Sequence, residues 1–106
     1  MFTRVVTLIP KPNMVNEFEI TFEKEILPLL RKQKGFVDEL LLVTPEKKEM
    51  LALSLWEKKE HAETYYRELY PQVEKIVAKF IDGVPTVKVY ETEYSTFHKI
   101  AFAATV

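Results

Sequence analysis

The 106 residues suffice for one domain around one core, and no linker divides them. With 47% hydrophobic and 29% charged residues the chain is a folding sequence and not a disordered one. Fifteen basic residues against 16 acidic ones, a net charge of -1, argue against a nucleic-acid binder built on a basic face, and the absence of Cys excludes disulfides, thiolate nucleophiles and Cys-ligated metals. The opening stretch "MFTRVVTLIPKP" lacks the longer apolar core and small-residue cleavage site of a signal peptide. No apolar run approaches the roughly 20 residues that span a bilayer. A soluble cytoplasmic protein with neither nucleic-acid nor membrane partners is expected.

The segment "FTRVVTLI" (2–9) is rich in β-branched residues and stops at Pro10, which predicts a first strand. "KPN" turns the chain, with Asn13 as the expected helix cap. Phe18, Phe22, Ile26 and Leu29/Leu30 then recur at helical spacing, with Pro28 expected to kink the helix or loosen its last turn and Gly35 to close it. "FVDELLLVT" (36–44) and "EMLALSLW" (49–56) predict two strands joined by a hairpin at "PEKK". A second helix begins near Lys58 or Lys59 with Ala62, Tyr66 and Leu69 on its core stripe. It resumes after Pro71 and carries Val73, Ile76, Val77, Phe80 and Ile81 up to "DG". "PTVKVYETE" (85–93) is the last predicted strand.

The order is β-α-β-β-α-β, an α+β ferredoxin-like arrangement in which an antiparallel sheet carries both helices on one face. A sheet with one wet face alternates apolar and polar residues, but "LLLV" and "MLAL" do not. Two helices cover one face only. The other face therefore predicts a homodimer packed sheet to sheet about a two-fold axis. The domain is expected over 1–94. The apolar tail "STFHKIAFAATV" (95–106), with His98, is expected to pack on the domain or the partner subunit.

Two glycines, Gly35 and Gly83, leave no Gly-rich loop for a phosphate or dinucleotide. The two histidines, His61 and His98, lie far apart, and no D-x-D or H-x-x-x-H spacing predicts a metal. Neither serine, Ser54 nor Ser95, sits in a nucleophile elbow. No metal or other cofactor is expected.

The stretch "SLWEKKEHAETY", a strand ending in Trp that leads into a helix rich in Ala and Tyr, resembles the antibiotic biosynthesis monooxygenase (ABM) domain. The resemblance spans about residues 1 to 94. It implies a dimeric α+β barrel whose pocket lies between sheet and helices. Some members of that family oxidise polycyclic phenols to quinones with O2 and without metal or flavin. A haem-degrading branch uses an Asn on the first strand and a His on the second helix. Here the first strand offers Val5, Val6 and Thr7, and the ligand position falls near Lys75, so haem degradation is disfavoured.

Two functions follow. One is a cofactor-independent monooxygenase acting on an electron-rich phenol or hydroquinone, and the other is a non-catalytic binding or structural dimer of the same fold. For the enzyme, His61 near a helix N-terminus is the expected base, with Trp56 and Tyr65 orienting the oxygen that becomes anionic. Tyr66 and Tyr70 would line a pocket for a small, flat aromatic substrate. Arg4, odd in an apolar strand, either meets an anionic oxygen inside the barrel or pairs with a carboxylate at an edge, and the second reading is preferred. Each also has a structural reading: Trp56 and the tyrosines as packing, His61 as a surface residue.

Overall fold

The computed structural model describes residues 1–97; residues 98–106, which include His98 and most of the expected tail, lie outside the described residues. Strand β1 (Phe2–Pro10) alternates, with Phe2, Arg4, Val6 and Leu8 buried on one side. Asn13 does not cap the next helix. It adopts φ +65° in the turn, a conformation its short polar side chain tolerates, and α1 (Val15–Thr21) starts after Met14 with no side-chain cap.

The first helical run is continuous but changes gauge. A π-helical stretch (Phe22–Ile26) separates α1 from α2 (Leu27–Arg31), and the Leu27 N–H reaches back to the Phe22 carbonyl. Pro28 explains the widening, because its ring clashes with an α-helical carbonyl four residues earlier and it has no N–H to donate. Phe18, Phe22, Ile26 and Leu30 nevertheless all remain buried.

Strand β2 (Phe36–Val43) and strand β3 (Met50–Trp56) form the hairpin, and α3 (Lys59–Glu68) and α4 (Tyr70–Val77) follow with Pro71 in the first turn of α4. Strand β4 (Ile81–Glu91) begins earlier than its sequence suggests, and Phe80 and Ile81 are not helical. Ile81 pairs with Pro10 and Asp82 with Ile9, beyond a register shift at which Gly83 takes φ +71°. Pro85 is tolerated because β4 is an edge strand.

All four strands pair antiparallel in the order β2-β3-β1-β4, the ferredoxin-like order, with the helical core on one face. The opposite face shows Leu40 and Leu42, each 48% exposed, beside the half-buried Leu51, Leu53 and Leu55. Among the described residues no helix is long and apolar enough to cross a membrane.

Candidate functional site

The β-register sets one polar row across the helix-facing side. Ser54 on β3 lies opposite Arg4 of β1 and opposite Glu39 of β2, so Glu39, Ser54 and Arg4 form a rung over three adjacent strands. On one side of it the same face is apolar, with Val6 and Leu8 on β1, Leu41 and Val43 on β2, and Met50 and Ala52 on β3; on the other side lie Phe2 and Trp56. Strand spacing puts the Arg4 and Glu39 backbones about 10 Å apart, with Ser54 between them.

Arg4 is 3% exposed. It is not at an edge, because β1 is an interior strand flanked by β3 and β4, and the expectation of an edge ion pair is corrected accordingly. Its guanidinium lies under three tyrosine rings, 4.7 Å from the centre of Tyr70, 5.1 Å from Tyr65 and 5.3 Å from Tyr66. Such contacts stabilise a desolvated cation. They leave Nη2 enclosed with no hydrogen-bond partner among the described residues.

Glu39 Oε1 is likewise enclosed and unpartnered among the described residues, although the residue as a whole is partly exposed. Burial pushes its carboxyl up to about 9; the Arg4 charge opposes this and Asp38 adds to it. Glu39 therefore holds a proton at neutral pH. Burial also raises Tyr65 and Tyr70 above the ordinary phenol range, against the Arg4 charge. The site is a fixed cation among neutral hydrogen-bonding groups.

These five polar residues share a cavity with Phe18, Phe22, Ile26 and Leu30 from the first helical run and Val73 and Val77 from α4. It offers about 40 Å³ to the centres of water-sized molecules. That is room for roughly three waters. A second, open cleft on the outer side is bordered by Phe2, Arg4, Lys59, Tyr66 and Val89, so Arg4 is common to the cavity and the cleft.

The seam after β3 is built differently. Trp56 is 0% exposed, stacks on Tyr65 at 5.0 Å, and donates its indole N–H to Ser54 Oγ at 2.9 Å. It reaches the cavity through Ser54 and Tyr65, both of which line it. His61 packs on Gly35, where an added Cβ would lie 2.0 Å from Nδ1, and its Nδ1 is a third enclosed atom without a partner among the described residues. Neither Trp56 nor His61 lines the cavity.

Of the residues expected at a site, Arg4, Tyr65 and Tyr70 come together, and Tyr66 covers Arg4 from outside. The core stripe of α3 runs through Ala62 and Tyr65, not Tyr66, which is 55% exposed, because the helix phase sets Tyr65 one turn from Ala62 on the inner side. Sequence reading missed Glu39 and Ser54. Both continue the inward alternation of their strands, Glu39–Leu41–Val43 and Met50–Ala52–Ser54–Trp56, and that period was the available signal. Among the described residues no group of three or more His, Cys, Asp or Glu side chains is placed to hold a metal.

No protein-family profile matches the sequence, and no curated protein matches it. Solved structures do. The monooxygenase from the gene ActVA-Orf6 of Streptomyces coelicolor, in complex with nanaomycin D, superposes with a TM-score of 0.77 over 89% of this chain and 88% of that one, at 12% identity. SnoaB, a cofactor-independent oxygenase from Streptomyces nogalater, gives 0.73 over 90% and 95%, at 15% identity. NE2512 from Nitrosomonas europaea, a protein of unknown function, gives 0.74 over 90% and 91%, at 14% identity. The chain has the fold of the antibiotic biosynthesis monooxygenases.

Proposed function

We propose that the protein is a cofactor-independent oxygenase that oxidises a small phenol or hydroquinone with O2 in the cavity between sheet and helices. The unpartnered Nη2 of Arg4, facing an apolar cavity, is the observation that carries this reading. The fold shared with two named oxygenases supports it.

Arg4 stabilises the substrate as its phenolate, so an acidic phenol needs no strong base. The phenolate passes an electron to O2, and recombination forms a carbon–oxygen bond. Cleavage of the O–O bond then leaves a quinone carbonyl and one water, which carries away the phenolic hydrogen and one ring hydrogen. Glu39, protonated at neutral pH, is the proton donor for that cleavage. Tyr65, Tyr66 and Tyr70 hold Arg4, and Tyr65 and Tyr70, which line the cavity, flank the ring. Trp56 acts through Ser54: by donating to Oγ it leaves the serine hydroxyl hydrogen free for the ligand.

Oxygen consumption with a panel of hydroquinones, without added metal, flavin or haem, tests the reaction. Arg4→Met lowers kcat/KM by on the order of 100-fold, the usual loss when a buried donor to a developing anion is removed. His61→Ala lowers it less than tenfold. Activity declines as pH rises through about 9, where Glu39 loses its proton. The small volume of the cavity favours a second reading, a non-catalytic binding or structural dimer. Failure of every substrate to consume O2 selects it.

The partner in either reading is a second copy, packed on the apolar back face around Leu40, Leu42 and Leu53. Sedimentation at micromolar concentration returns twice 12.5 kDa, about 25 kDa. Leu42→Lys moves the mass toward the monomer.

A further inference from the structure

We propose that Arg4 and Glu39 select a compact monoanion with two neighbouring oxygens, an ionised hydroxyl beside a carbonyl, and hold it over Ser54. This deepens the oxygenase reading, on which it rests for where the substrate binds but not for whether it reacts.

The two unpartnered atoms have complementary demands. Arg4 Nη2 can only donate and carries a fixed positive charge. A protonated Glu39 donates one hydrogen bond and accepts others, while its ionised form only accepts. Over Ser54, at the midpoint of the rung, a ligand whose anionic oxygen accepts from Arg4 and whose carbonyl accepts from Glu39 satisfies both at once. The Ser54 hydroxyl, already an acceptor for Trp56, still has its own hydrogen to give. Arg4, Glu39 and Ser54 thus line one cavity, with Nη2 and Oε1 unpartnered among the described residues while the rest of the guanidinium interacts with the Tyr65 and Tyr70 hydroxyls. A plain phenol reaches Arg4 and leaves Glu39 unsatisfied, and a neutral ketone leaves the guanidinium charge without a counterion; both leave a buried polar group unpaired, which is costly.

The cavity limits size. The enclosed space, room for about three waters, takes only the oxygen-bearing part of a single ring and not three fused rings, and the remainder of that ring reaches the open cleft that shares Arg4. The cavity's remaining walls, Val6, Leu8, Phe18 and Ile26 among them, are apolar and match a flat hydrocarbon edge.

The proton on Glu39 makes binding pH-dependent. Glu39 faces Arg4 from β1 and Tyr65 from α3, with Tyr70 across the cavity and Asp38 beside it on β2. The two phenols stay neutral throughout the range in which Glu39 titrates, because burial raises them further. Above about 9 Glu39 becomes an anion, accepts where the ligand also accepts, and repels it.

Tropolone, one ring bearing a hydroxyl beside a carbonyl, is the probe, with phenol and tropone as the analogues that each lack one oxygen. Titrations without O2, followed by calorimetry and by fluorescence of Trp56 on its Tyr65 stack, separate binding from turnover. Tropolone binds at least tenfold tighter than either analogue, and its affinity declines as pH rises through about 9. Arg4→Met weakens it by at least 30-fold. Glu39→Gln, which keeps a neutral donor, holds affinity within about threefold at neutral pH and abolishes the alkaline decline. Equal affinity for the three probes overturns the inference and assigns the rung to bridging waters; so does an alkaline decline that survives Glu39→Gln. If Arg4→Met does not fold, the Glu39→Gln profile decides alone. Tropolone binding without oxygenase activity on any substrate sinks the oxygenase reading and leaves this one standing; oxygenase activity without tropolone selectivity does the reverse.

Discussion

Two enclosed neighbourhoods flank Tyr65, and they are finished to different degrees. On the seam side, Trp56 stacks on Tyr65, meets Phe36 in an edge contact, and has its one polar side-chain atom bonded to Ser54. On the rung side, Arg4 is as deeply enclosed yet keeps Nη2 unpaired, and Glu39 keeps Oε1 unpaired. Dense aromatic residues thus mark well-made core, whereas unpaired polar atoms around a void mark capacity to bind. The aromatic cluster draws the eye in the sequence. The row of unpaired polar atoms lies on the same sheet, centred on Ser54 two residues before Trp56.

The largest effect that would test this contrast is on stability at the seam. Trp56→Ala removes a fully buried ring and leaves Ser54 without its donor, so denaturant unfolding shows a loss of about 3–5 kcal/mol. A loss below about 1 kcal/mol would mean that the seam is loose and the contrast drawn wrongly.

Gly35→Ala comes next. The residue sits at φ +79° and faces the His61 ring, so strain and overlap together cost about 2–4 kcal/mol. In a His61→Ala background the overlap disappears and about 1–2 kcal/mol remains. Equal losses in both backgrounds would show that His61 does not rest on Gly35.

The smallest effect concerns the rung and depends on pH. Glu39 is held protonated up to about 9, far above an unfolded carboxyl at about 4.5. Between those values the folded chain binds a proton that the unfolded chain has released. The stability linked to Glu39 is therefore fully present below about 4.5 and is lost progressively as pH rises toward about 9. Glu39→Gln removes this dependence. After discounting for partial exposure, the variant gains on the order of 2 kcal/mol over wild type at pH 8 and nothing at pH 4. Parallel pH–stability curves would place Glu39 in water and remove it from the site.

Much of this molecule was legible in one dimension. Period-2 and period-3.6 patterns gave the element order and hence the ferredoxin-like sheet, because each amphipathic segment has one face to bury. The unalternating "LLLV" and "MLAL" predicted the apolar back face on which Leu40 and Leu42 stand exposed. The misplacements were local: Asn13 as a cap, Tyr66 for Tyr65 on the core stripe, and helix continued through Ile81. Each turned on a phase or a boundary, which a neighbouring strand settles more strongly than propensity does.

The rung was a matter for the tertiary structure alone. Arg4, Glu39 and Ser54 are separated by 35 residues and then 15 in the chain, and only the pairing of β1 and β2 on either side of β3 sets them in one row. Inward alternation told that each side chain points toward the helices. It could not tell which carboxyl shares a row with which cation, because register belongs to the sheet and not to any strand within it. The same holds for the raised value of Glu39, which arises from the burial of the carboxyl after folding, only partly opposed by the Arg4 charge.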